Sequence, residues 1–321
     1  MQVLVTGATG FLGGALSRRL LSGGEHVVAV GRDAAKLAAL RASGAVVFSV
    51  DLAAPGDFTP PPCDAVVHCA ALSAPWGARA AFERANVLAT EQVLSLARRA
   101  GARRFVHIST PSVYFRFRDQ IGVREDAALP QPVNLYAETK RRAEQLTLRA
   151  ADLDPIVLRP RGLYGAGDSA LLPRLLRAAA DRPLPLMNGG RAETDLTHVD
   201  DVVSATIAAL RAPPDLPQRI FNVSGGAPLR IRDVVEAAGA RAGIDVRWRK
   251  APVSVVLSYA RAMEAACRLA PGAPEPPITA YGAGLFAFTQ TLDISAAARL
   301  LHWRPQISFE AGLARTFAAA A

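Results

Sequence analysis

The sequence predicts an α/β fold: a Rossmann-type, doubly wound parallel sheet with a smaller, mostly helical C-terminal lobe. Three observations carry this. The chain opens on a short apolar run, Gln2 to Val5, which passes through closely spaced glycines into an apolar, arginine-bearing helical stretch. Short apolar runs then alternate with longer helical patterns as far as Ile156 to Leu158, at intervals that suit right-handed crossovers in a parallel sheet covered on both faces. Finally, 321 residues, 50% of them hydrophobic, suffice for one large domain or two coupled ones.

Gln2 to Val5 reads as a buried first strand. Gly7 would let the chain turn sharply, Gly10 would let the backbone approach a pyrophosphate, and Gly13 would allow close helix-to-strand packing. The helix behind them offers free N–H groups to a dianion, so Gly7, Thr9, Gly10, Phe11, Leu12 and Gly13 are candidate dinucleotide contacts. The spacing is G-x-x-G-x-x-G rather than G-x-G-x-x-G, and a purely structural turn is the competing reading. His26 to Val30 is the second strand, closed by Gly31-Arg32. An acid there would take the ribose hydroxyls of NAD. Arginine suits the 2′-phosphate of NADP, so NADP is the preferred cofactor and NAD the second choice, unless Arg32 merely begins the next helix. Ala45 to Val50 is the third strand, followed by Asp51-Leu52, whose acid could bond an adenine amino group or cap a turn. After a proline-rich loop, Asp64 to His68 is the fourth strand. The small residues Cys69, Ala70 and Ala71 at its carboxyl end leave room for a ribose and nicotinamide.

Ala78 to Ala100 reads as one long helix carrying Asn86, which could hold a water or backbone group beside the site or simply pack. Arg104 to Ile108 is the fifth strand and ends at Ser109-Thr110. Phe115 to Pro132 is expected to be an exposed, partly mobile loop. Leu135 to Ala151 is an amphipathic helix on which Tyr136 and Lys140, four apart, share a face. Ile156 to Leu158 is the sixth strand, closed by Arg159-Pro160. Beyond it come a helix (Leu171 to Arg182), a short strand (Asp195 to Val199), Asp200-Asp201 as caps of the next helix, and Arg219 to Val223 as the last strand of the main sheet. The expected division is a dinucleotide domain at 1–164 plus 196–225 and a substrate lobe at 165–195 plus 226–321. The lobe looks apolar with few fixed polar partners, which suits a greasy ligand. Its stretch Val253 to Leu269 could be pocket wall, core, dimer face or a membrane-surface element.

The formal charge is +9, almost all from arginine, with lysine only at Lys36, Lys140 and Lys250. The arginines are scattered, often as pairs, without a long block or aromatic interleaving, so an anionic cofactor explains them better than nucleic acid. Cys63, Cys69 and Cys267 have no metal-site spacing and imply a reducing compartment. The histidines offer no metal set. No apolar run reaches membrane-span length and the first strand leaves no place for a signal peptide, so a cytoplasmic protein is expected.

Tyr136, Lys140 and a hydroxyl from Ser109-Thr110 form a plausible proton-transfer set. Ketone reduction needs hydride at carbon and a proton at oxygen. A tyrosine can give that proton, and a nearby ammonium would lower its pKa toward neutrality. A surface Tyr and Lys is the bland alternative.

TGATGFLG at Thr6 to Gly13, HCAA at His68 to Ala71, ISTPSVY, the Tyr136/Lys140 pair, and TLDIS followed by LHWRPQISFEAGLARTF together resemble the extended short-chain dehydrogenase/reductase family over nearly the whole chain. The resemblance implies Asp51 as the adenine-contacting acid, Thr110 as the catalytic hydroxyl, Tyr136 and Lys140 as the catalytic pair, and Leu52 and Pro160 among the cofactor contacts. Sugar-nucleotide members usually carry an asparagine just after the sixth strand, and dehydratases an acidic pair after the catalytic hydroxyl. Here those places hold Arg161-Gly162 and Pro111-Ser112. RPRGLYGAGDSALLPRLLRAA is similar to the 3β-hydroxysteroid-dehydrogenase-like branch, which includes NADPH-dependent 2-alkyl-3-ketoacid reductases. The implied activity interconverts a ketone and a secondary alcohol on a largely apolar substrate. A nucleotide-sugar epimerase or dehydratase with retained NAD is the alternative. A homodimer pairing the helices at Ala78 to Ala100 and Tyr136 to Ala151 is expected by analogy. In FRFRDQIG, after Tyr114, two arginines could meet a substrate carboxylate or simply be wetted.

Overall fold

A computed structural model describes residues 1–318. Seven strands form the central sheet: β1 (Gln2–Thr6), β2 (His26–Gly31), β3 (Val46–Ser49), β4 (Ala65–His68), β5 (Arg104–Ile108), β6 (Pro155–Pro160) and β7 (Ile220–Val223). They lie in the order β3-β2-β1-β4-β5-β6-β7, every pair parallel. The order reverses between β1 and β4, so a crevice opens at their carboxyl ends, where open α/β sheets bind ligands.

Both faces of the sheet are covered, and for this reason its strands are near-continuous apolar runs. On one face Leu12, Leu16 and Leu20 of helix α1 (Phe11–Ser22) pack with Val202, Val203 and Ala205 of the helix Val199–Arg211. On the other, Val93, Leu94, Leu96 and Ala97 of the helix Ala89–Arg99 cover Leu4, Val28, Val66 and Phe105. Helix α1 begins at Phe11: Gly10 caps it in extended conformation, and Gly13 and Gly14 are buried inside its first turns.

The expected helix at Ala78 to Ala100 is continuous but not uniform. An α turn, Arg79–Phe82, leads into a π segment, Glu83–Leu88, and then into Ala89–Arg99. Asn86 lies in the π segment, a distortion that recurs where a side chain must be re-aimed.

Two expectations fail. The region Phe115 to Pro132 is not simply an exposed loop. Phe115 is buried, and Gln120–Val123 is a strand pairing in parallel with Gln290–Leu292, in a four-stranded sheet that also holds Glu193–Thr194 and Leu229–Arg230. Its partner is too distant in sequence to leave a local signature. The helix Val199–Arg211 is capped by His198, whose Nδ1 accepts from the Asp200 N–H, while Asp201 accepts from the N–H groups of Gln306 and Ile307. Asp200 and Asp201 occupy its first turn, where carboxylates favour the positive dipole end.

The later helices include Leu172–Asp181, Ile231–Ala242, Val253–Leu269 and Ala280–Ala287. In Val253–Leu269 only Leu257 and Ala260 are fully buried, and Val255, Tyr259 and Leu269 are exposed, so most of this helix is not core. Among the described residues, no helix is long and apolar enough to cross a membrane.

Candidate active site

The glycine turn sits at the carboxyl end of β1. Gly7 has φ +65°, and a Cβ there would lie 2.8 Å from the Ala70 nitrogen; one at Gly13 would lie 2.2 Å from the Gly7 carbonyl oxygen. The loop, the helix and the end of β4 are therefore packed backbone to backbone. No side chain caps α1, which leaves its first-turn N–H groups, those of Phe11, Leu12 and Gly13, without an intrahelical partner. Such an uncapped N-terminus facing the crevice fits an anionic pyrophosphate. Thr9 closes against the end of β2, where a Cβ on Gly31 would meet its methyl at 2.5 Å.

Arg32 follows β2 and is exposed. Asp51 accepts from the Ala53 N–H at 3.0 Å and pairs with Arg84 at 2.6 Å, and both interactions hold its carboxyl below the usual range. Leu52 is buried beside it. Arg84 gave no signal in sequence, because an arginine on a long helix looks solvated.

Thr110 and Tyr136 meet at the carboxyl end of β5. Thr110 caps the 3-10 turn Pro111–Tyr114, accepting from the Ser112 N–H at 3.2 Å and donating to Ser112 Oγ at 3.0 Å. Ser109 instead donates to Glu144, which is itself paired with Arg159. The Tyr136 hydroxyl lies within reach of the Thr110 and Ser73 hydroxyls. Ser73, in the loop after β4, and Ser112 both escape sequence reading because lone serines carry no pattern.

Lys140 is buried and does not stand directly against the phenol. Its Nζ donates to the Ile108 carbonyl at 2.6 Å and to His107 Nε2 at 3.0 Å. With the ammonium as donor, Nε2 accepts and the His107 proton belongs on Nδ1, which is buried and unpartnered among the described residues. Burial brings Lys140 down to about 8, although Glu144 and Cys69 oppose the shift. Burial and the Lys140 charge hold His68 down at about 3 and His107 well below its ordinary value, so both rings are neutral. The expected lowering of the Tyr136 pKa is not seen. Burial raises it, partly offset by the Ser73 and Thr110 hydroxyls, because the ammonium is turned toward the strand ends.

Asn86 ties this corner together. Its Oδ1 accepts from the Leu72 N–H at 2.7 Å and its Nδ2 donates to Thr139 Oγ1 at 3.0 Å, fixing the loop after β4 to the helix Leu135–Arg149 that carries Tyr136 and Lys140. In that loop Cys69 and Ala70 are half-buried with their backbone against Gly7, Ala71 is exposed, and Pro160 ends β6, paired with Val223 of β7. Of the two arginines after Tyr114, Arg116 donates to the Ala128 carbonyl.

The NAD dependent epimerase/dehydratase family model matches residues 3–224. The chain is 33% identical over its full length to the 2-alkyl-3-oxoalkanoate reductase of Stenotrophomonas maltophilia, all of which it spans. It is 30% identical, over 98% of its length and 95% of the relative's, to a 4-hydroxy-2-methyl-3-oxo-4-farnesyl-3,4-dihydroquinoline-1-oxide ketoreductase of Stigmatella aurantiaca. Its fold matches a UDP-glucuronic acid 4-epimerase from Bacillus cereus in complex with NAD at a TM-score of 0.75, with 24% identity over 99% of this chain and 98% of that one.

Proposed function

The chain belongs to the NAD dependent epimerase/dehydratase family, an NAD-dependent family of oxidoreductase type, and on that footing we propose that it interconverts a ketone and a secondary alcohol on a largely apolar substrate, a 3-keto or 3-hydroxy acid or a 3β-hydroxysteroid-like molecule. The observation that carries this reading is the convergence of the Tyr136 and Thr110 hydroxyls at the carboxyl ends of β4 and β5, with a buried lysine beneath them. The reductase and ketoreductase names of full-length relatives support it.

Gly7, Thr9, Gly10, Phe11, Leu12 and Gly13 hold the pyrophosphate of the dinucleotide, Asp51 and Leu52 flank its adenine, and Cys69, Ala70, Ala71 and Pro160 border its nicotinamide half. Arg32, free on the surface at the end of β2, takes a 2′-phosphate, so NADP is preferred over NAD. When bound, the reduced cofactor supplies the hydride. Tyr136 gives its proton to the carbonyl oxygen, and burial keeps that phenol protonated and ready to donate at neutral pH. Thr110 holds the same oxygen in line. Lys140 adds a fixed positive charge beneath the crevice and holds the ribose. Catalysis proceeds in a cytoplasmic homodimer formed through the helices at 79–99 and 135–149.

The test is oxidation of NADPH and NADH across 3-keto acids, 3-ketosteroids and simple ketones. Tyr136→Phe should lower ketone reduction by about 10²–10⁴-fold while dinucleotide affinity, read by fluorescence titration, stays within about threefold of wild type. Unimpaired reduction by this variant would remove Tyr136 from its role. Faster turnover with NADH than NADPH would remove Arg32 from its own. Tightly retained oxidised cofactor with no net consumption would mark the epimerase alternative instead.

A further inference from the structure

Arg161 stands where β6 leaves the sheet, and its side chain is buried to 6% exposure. Its backbone is fixed: the N–H donates to the Val223 carbonyl and the carbonyl accepts from Thr197 Oγ1 at 2.6 Å. Its guanidinium is much less satisfied. Nε donates to Thr194 Oγ1 at 3.1 Å, and the Tyr281 hydroxyl faces it within hydrogen-bonding reach. Neither partner is a carboxylate.

Two residues earlier, Arg159 shows what a buried arginine ordinarily requires. It is paired with the Glu144 carboxylate through two nitrogens and also meets the Tyr114 hydroxyl. Arg161 has no carboxylate in ion-pair contact among the described residues. Asp195 is the acid nearest to that role: it and Arg161 attract one another, yet they make no ion pair among the described residues, its Oδ2 accepting instead from the Leu292 N–H at 2.7 Å, and burial outweighs that attraction to raise its pKa. A guanidinium stays charged at any working pH, so a buried one without a counter-ion is costly unless something else supplies the charge.

Its position indicates the source. The Tyr281 hydroxyl is 2.8 Å from Ser112 Oγ, which is 3.0 Å from Thr110 Oγ1, and Thr110 reaches the Tyr136 phenol. Tyr281 belongs to the helix Ala280–Ala287 of the later part of the chain and packs edge-on against Phe115 at 5.0 Å. A row of hydroxyls thus runs from the proton donor toward a buried cation that has no carboxylate in contact.

We propose that Arg161, oriented by Thr194 and Tyr281, anchors a carboxylate carried by the substrate near the reacting carbon, making the enzyme selective for 3-oxo and 3-hydroxy acids over their esters, simple ketones and 3-ketosteroids. This rests on the reading of Tyr136 as the proton donor to a ketone and narrows its substrate class. In a 3-oxo acid one carbon separates the carbonyl from the carboxylate, so a substrate whose carbonyl meets Tyr136 would carry its carboxylate toward the row of hydroxyls that ends at Arg161. Planar, bidentate recognition of a carboxylate is what arginine does better than lysine.

The experiment compares 3-hydroxydecanoic acid with its methyl ester, as oxidised by wild type, Arg161→Met, Arg161→Lys and Tyr281→Phe with NADP, and measures binding of both ligands calorimetrically to the cofactor-loaded protein. Wild type should favour the acid by at least about 30-fold in kcat/KM and in affinity, as expected for a charge-assisted bidentate contact. Arg161→Met should bring both ratios to within about threefold of unity, and Arg161→Lys and Tyr281→Phe should fall between. A merely structural arginine would depress acid and ester together and leave the ratio at its wild-type value, which would overturn the proposal; so would a wild-type ratio near one. If neither ligand is oxidised but the affinity ratio behaves as described, the anchor stands and the ketone-reductase reading fails. Should Arg161→Met not fold, the lysine and Tyr281 variants decide by the same ratios.

Discussion

Lys140 shows how one residue serves opposed demands. Burying an ammonium costs stability, and burial has moved its pKa from 10.5 to about 8. Between those values the unfolded chain binds a proton that the folded chain does not, so this residue's contribution to stability rises with pH across that window and is least favourable below it. In thermal melts of wild type and Lys140→Met from pH 7 to pH 10, the difference in Tm should therefore shift toward wild type as pH rises, and a flat difference would contradict the burial described here. In catalysis the sign is opposite. If the positive charge assists proton donation, kcat/KM for reduction should hold to about pH 7.5 and then fall with one ionisation near 8 as Lys140 deprotonates. Sequence spacing places Tyr136 and Lys140 on one helical face, but spacing could not reveal that the lysine bends to Ile108 and His107, since those contacts depend on where β5 ends.

At the scale of elements, the strand–turn–helix opening is held by contacts that leave no room for a side chain. Gly13→Ala would drive a Cβ to 2.2 Å from the Gly7 carbonyl, a backbone atom that cannot rotate away. A destabilisation of about 1–3 kcal/mol is expected, seen as a lowered Tm, together with at least a tenfold loss of dinucleotide affinity. Gly10→Ala meets the same oxygen only at 3.1 Å, so it should melt near wild type yet bind the dinucleotide poorly. Comparing the two variants separates packing from ligand approach. The π segment is an element-scale feature that the sequence hides. Its residues have ordinary helical composition, and Asn86 bonds the Leu72 loop from within it.

Across the whole molecule, a short seam joins the segment after β5 to the later chain. Gln120 N–H donates to the Thr289 carbonyl at 2.9 Å, Asp293 N–H to the Val123 carbonyl at 3.0 Å, and Gly122 N–H to Thr291 Oγ1 at 2.9 Å. These amides should exchange with deuterium together, as one cooperative unit. Protection of the 290–293 amides with free exchange at 120–123 would show that the two strands open independently.

Read alone, the sequence determined the parallel sheet, the glycine turn at its edge, the Thr110, Tyr136 and Lys140 candidates, and the arginine at position 161 that departs from the sugar-nucleotide pattern. These are legible because strand runs, glycine spacing and the i, i+4 rule are local: each is set by residues within a few positions of one another. Tertiary structure alone decided that Phe115 is buried, that Gln120–Val123 is a strand, that Ser73, Ser112 and Tyr281 join the candidate site, and that Arg159 is paired with a carboxylate while Arg161 has none in contact among the described residues. Those outcomes depend on groups up to 170 positions apart being brought into contact, and the electrostatic cost of a buried charge is fixed by what surrounds it after folding.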